Sequence, residues 1–94
     1  MTDTLVLDPV LDLKASGPLK AALLERRGRP LGVDASNVER LGGLCLQVLL
    51  AANRTWTDDA CAFAVAPRSA AFDEALSLFG ASELFDDDRS GKGA

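Results

Sequence analysis

Along this chain, apolar positions recur at two spacings, about two residues and about 3.6 residues, and the two alternate in blocks. Thr4-Leu5-Val6-Leu7 predicts a short strand, interrupted at Asp8-Pro9 because proline cannot donate to a ladder. Val10-Leu11-Asp12-Leu13 continues the extended segment. A first helix is expected from Pro18, with Ser16 or Gly17 as its cap. Leu19, Ala22, Leu23 and Leu24 share its apolar face, while Lys20, Glu25 and Arg26 cover the other. Arg26-Arg27-Gly28-Arg29-Pro30 closes it: cations suit the negative end of the dipole, glycine permits the turn and proline forbids continuation.

Leu31 to Val33 predict the next strand, with Asp34-Ala35-Ser36 as the exit turn. A second helix is expected from Val38 or Leu41 to Arg54. Trp56 follows it, and Thr57-Asp58-Asp59 reads as a polar turn. Ala60 to Ala66 alternates small and large residues and predicts a third, central strand. Pro67-Arg68-Ser69 forms a turn with Ser69 as a helix cap, and the third helix runs from Ala70 to Phe79, ending at Gly80. Its apolar side is Phe72, Ala75, Leu76 and Phe79. Leu84 and Phe85 either add an edge strand or pin the end down.

Strand–helix alternation implies parallel pairing through right-handed crossovers. The expected fold is α/β, a mostly parallel central sheet of about four strands with three helices. Residues 1–85 form the domain, and 86–94 a mobile acidic tail in which Asp86 to Asp88 act as solubilising charge.

Composition narrows the chemistry. In 94 residues, fourteen acids outnumber ten bases, giving a net charge of −4, so a nucleic-acid partner is not expected. Histidine is absent and there are only two cysteines, which excludes a histidine-based triad and the usual four-ligand zinc site within one chain. No cofactor, metal or catalytic residue is expected. Cys45 and Cys61 read as reduced, packed thiols, since no cation adjoins either to lower its pKa. No signal peptide is expected at the start of the chain, and its longest apolar run is too short to span a bilayer. A cytoplasmic location without direct membrane insertion is expected.

The second helix carries the functional signal. Apolar residues appear almost all round it, so one face is either buried or kept for a partner. A 100° step places Arg40, Gly43, Leu44, Gln47, Ala51 and Arg54 on one side, a candidate docking face for a partner helix. Gly42 and Gly43 either pack tightly against a neighbouring element or flatten the helix start for another backbone. Asp34 and Ser36 are candidates for the same surface. Asp34 reads as a helix cap or a partner-facing acid, and Ser36 as a cap, an Asx-type turn or, as the lesser reading, a phospho-acceptor. Trp56 is a lid over the sheet or a partner anchor.

Asp34-Ala35-Ser36-Asn37-Val38 resembles the Asp-x-Ser-x-Val motif of the STAS domain family, the fold of anti-sigma-factor antagonists. The similarity spans roughly residues 4–85, and Phe72 to Gly80 fits the family's third helix. In that family the next helix opens Asp-Ser/Thr-x-Gly-Leu, whose acid and hydroxyl fall here on Gly42 and Gly43. The usual acceptor position is therefore Gly43, and phosphorylation there is chemically impossible. Leu41 to Ala52, followed by Thr55-Trp56, is similar to a compact STAS subgroup associated with bacterial chemotaxis gene clusters.

The resemblance implies a non-catalytic interaction module in bacterial signalling that binds a protein partner, a chemotaxis histidine kinase or related regulator. Its alternatives are a phospho-regulated anti-sigma-factor antagonist and an MlaB-like subunit of a lipid-transport ATPase complex. The partner-binding residues expected are Asp34, Ser36, Arg40, Gly42, Gly43, Leu44, Gln47 and Ala51, with homodimerisation left open.

Overall fold

The computed structural model describes residues 3–82 and Phe85. Among them the elements run β1 (Asp3–Val6), β2 (Val10–Leu11), α1 (Ser16–Leu24), β3 (Leu31–Ala35), β4 (Arg40–Leu41), α2 (Gly43–Asp58), β5 (Phe63–Arg68) and α3 (Ala70–Leu78). A 3-10 turn, Leu13–Ala15, leads into α1. The fold is α/β with three helices, and every described strand pairing is parallel. The strands divide into a three-stranded sheet, ordered β1-β3-β5, and a separate pair, β2-β4.

The β1-α1-β3 and β3-α2-β5 crossovers run in the same direction across the sheet, and α1 packs against α2, as crossovers of one hand require. Residues of β3 alternate accordingly: Leu31, Val33 and Ala35 are buried, while Gly32 and Asp34 are half-buried. Leu49, Trp56, Phe72 and Leu76 complete the core against them. Phe85 is buried and its ring sits 6.5 Å from that of Phe72, which pins the chain after α3. Leu84 and residues 86–94 lie outside the described residues.

Several boundaries differ from those the pattern predicts. Only Val10 and Leu11 are extended after Pro9, because the Asp12 carboxylate accepts from the Ala15 amide and turns the chain into the 3-10 turn. Helix α1 then starts at Ser16 with no side-chain cap, and Pro18 sits in its first turn, where no amide is needed. Leu24 falls outside the buried face and is 53% exposed.

Helix α2 starts later and ends later than expected. Trp56, Thr57 and Asp58 belong to its last turn, and the Cys61 amide closes back on the Trp56 carbonyl. Ala60 takes a φ of 59° to permit that closure, so β5 begins only at Phe63 and runs through Pro67 to Arg68. Ser69 caps α3 as expected, accepting from the Phe72 amide at 3.0 Å. Its hydroxyl also donates to the Val38 carbonyl at 2.6 Å.

Candidate functional site

The start of α2 is held by backbone rather than by side chains. Pro9 offers its carbonyl to the amides of both Glu39 and Arg40, at 2.7 and 3.1 Å. Leu11 pairs with Leu41, and the Gly42 amide donates to the Leu11 carbonyl at 2.9 Å. Gly42 is the N-cap residue, extended at φ −85° and ψ 162°, and supplies no side-chain cap. A Cβ on Gly42 would stand 3.2 Å from the Leu11 oxygen, so this glycine answers a close backbone approach. Gly43 is different. It is exposed, and a Cβ there would meet only the ring of Phe79, at 3.5 Å.

Beyond the glycines, one side of α2 faces out. Leu44 is 46% exposed, and Gln47, Ala51 and Arg54 are exposed along the same side. Arg40 is exposed in β4, immediately before the helix. The opposite side, Cys45, Leu46, Leu49, Ala52 and Trp56, is buried. The 100° reading of this helix therefore gives the right division, although Arg40 reaches the surface from a strand.

Asp34 and Ser36 form a closed unit of their own at the end of β3. The Asp34 carboxylate accepts from the Ser36 amide at 2.9 Å and from its hydroxyl at 2.6 Å. These bonds hold the Asp34 carboxyl below its ordinary value. Asp34 is thus an Asx-turn acceptor and not the cap of α2, whose start lies several residues on.

Trp56 is buried to 1% exposure, so it is not a surface anchor. Its indole N–H donates to the Arg29 carbonyl and its ring lies 5.4 Å from that of Phe63, the geometry of a lid on the sheet. Cys45 is buried with its thiol 3.3 Å from the Asp12 carbonyl. Burial, helped by the Asp12 charge, pushes that thiol up. Cys61 is half-buried and both cysteines are free. Among the described residues no three of His, Cys, Asp and Glu gather to hold a metal ion. None of the described helices is long and apolar enough to cross a membrane.

Between α1 and α2 lies an apolar groove of about 270 Å³. Leu24 and Lys20 stand on the α1 wall, Leu44, Gln47 and Ala51 on the α2 wall. Sequence reasoning missed Leu24, Lys20 and Phe79. One signal for the first was present: Leu23 and Leu24 are adjacent, about 100° apart on the helix, and a narrow buried face on so short a helix has room for one of them.

A family model described as "Mlab, STAS domain" matches residues 1–86. The chain belongs to this STAS-domain family, whose members are in general protein-interaction or regulatory modules. No curated protein matches it.

Proposed function

We propose that this chain is a non-catalytic STAS module of bacterial signalling, working in the cytoplasm, that binds a chemotaxis histidine kinase or a related regulator. Binding uses the start and the exposed side of α2: Arg40, Gly42, Gly43, Leu44, Gln47 and Ala51, with Asp34 and Ser36 at the end of β3. One observation carries the reading. The helix start bears an exposed glycine where the family's hydroxyl acceptor falls, followed by an exposed ridge of Leu44, Gln47 and Ala51. Contact is then made by shape and does not depend on phosphorylation at Gly43.

The test is retention of the kinase by the immobilised chain. Leu44→Asp and Gln47→Glu are expected to weaken retention while leaving thermal unfolding nearly unchanged, because both side chains face solvent. Unaltered retention overturns the reading. A second reading is favoured by the description of the matching family model: the partner is the ATPase subunit of a lipid-transport complex. Presenting both candidates to the same column decides between them, since the correct partner is retained and released by Leu44→Asp.

A further inference from the structure

We propose that the groove between α1 and α2 receives a single amphipathic helix of the protein partner, about three turns long, with acidic residues placed against Lys20. This rests on the docking reading above and specifies the partner's segment.

The groove has the dimensions of one helix. It follows α2 from Leu44 to Thr55, about 16 Å at the rise of an α-helix. Its floor is apolar, built from Leu23, Val48, Ala52 and Trp56, and Leu24 and Leu44 project from opposite walls, each about half exposed. Beyond Leu44 the α2 wall continues through Gln47 and Ala51, so a ridge of side chains three and four residues apart can settle against it.

Charge sets the partner's chemistry. The chain is acidic overall, yet among the described residues Lys20 is the only charged side chain lining the groove. Glu25 and Asp58 sit nearby in the chain but do not line it. Arg26, Arg27, Arg29 and Arg68 all pair with carboxylates of this chain. Lys20, Arg40 and Arg54 form no ion pair among the described residues; Lys20 stands on the groove wall, while Arg40, in β4, and Arg54, on α2, do not line it. An unpaired cation on the wall of an apolar channel is complementary to an apolar helix face flanked by Glu or Asp.

The chain carries its own reporter, since Trp56 is its sole tryptophan and lines the groove. The probes are two tryptophan-free, lactam-stapled peptides of about fourteen residues with one Leu/Ala face, flanked by Glu in one and Lys in the other. The Glu peptide is expected to shift Trp56 emission saturably and more tightly than the Lys peptide. Lys20→Glu should invert that preference, and Leu24→Asp should weaken binding about tenfold or more.

Equal binding of both peptides, or no change in Trp56 emission with either, overturns the proposal. So does self-association that Leu24→Asp abolishes, which assigns the groove to a second copy. Dodecanoate that outcompetes both peptides assigns it to an acyl chain and likewise overturns the proposal. The two readings also separate with the full partner. Loss of retention by Leu44→Asp, but not by Lys20→Glu or Leu24→Asp, leaves the docking surface standing and removes the groove; retention by all three removes both.

Discussion

The indole N–H of Trp56 donates to the carbonyl of Arg29 at 2.7 Å, joining the last turn of α2 to the residues that lead into β3. A second link lies close by in the chain. The Arg27 guanidinium donates to both carboxylate oxygens of Asp59, at 2.9 and 3.2 Å, connecting the ends of α1 and α2. One end of the helical layer is therefore fastened by side-chain bonds, while at the other the Gly42 N-cap itself is held by a backbone bond to Leu11.

Trp56→Phe keeps most of the ring but loses the indole donor. Unfolding by denaturant should show a loss of about 1–3 kcal/mol, the cost of deleting a hydrogen bond at a buried site. The midpoint moves and the slope stays unchanged.

The two glycines should respond differently to a methyl group. Gly42→Ala drives a Cβ to 3.2 Å from the Leu11 carbonyl oxygen, a backbone atom that also accepts the Gly42 amide. It should destabilise the fold by about 1–3 kcal/mol. Gly43→Ser meets only the edge of the Phe79 ring at ordinary contact distance and should leave the melting temperature nearly unchanged. Calorimetry of both variants checks the contrast.

Ala60 holds φ at 59°, a conformation that costs a residue with a Cβ about 1–2 kcal/mol. Ala60→Gly should raise the melting temperature by a few degrees, reduced somewhat by the greater freedom of glycine in the unfolded chain.

Acid should loosen the link between α1 and α2. Arg27 holds the Asp59 carboxyl below its ordinary value of 3.8. Because the folded-state value is the lower one, the stabilisation is present above about pH 4 and is lost as pH falls through the folded value. Asp59→Asn should remove that part of the acid dependence. Asp34 follows the same sign, and Ser36→Ala should raise its carboxyl toward the ordinary value, read by carbon NMR of the side chain.

The thiols should react at different rates. Cys45 is buried and its thiol is pushed up, so labelling by a disulfide reagent should be slow and limited by opening of the structure. Cys61, half-buried, should label first.

Much of the architecture is legible in the residues. The long strand segments, the three helices, the Ser69 cap and the outward side of α2 all follow from periodicity and from the residue types at helix ends. The features that are not legible have physical causes. Two-residue strands such as β2 and β4 are too short to show a period, and their pairing depends on the Pro9 and Leu11 carbonyls, which every sequence possesses. The start of α2 carries no side-chain cap, so only the Gly42-Gly43 pair marks the boundary, and Val38 to Leu41 before it reads equally well as helix. Asp34 reads as a cap because its residue type suits one, yet Ser36 two positions on captures it locally. The groove depends on Leu24 facing out while its neighbour Leu23 is buried, and the residue types of two adjacent leucines do not tell which faces which way.

Because the Leu11 carbonyl and the Pro9 carbonyl do the fastening at the start of α2, the side chains on that rim carry little of the molecule's stability. On the docking reading proposed above, mutational drift at Arg40, Leu44 or Gln47 would retune what the rim recognises without loosening its foundation. Such a division leaves a lineage free to exchange one associate for another while the scaffold underneath stays the same.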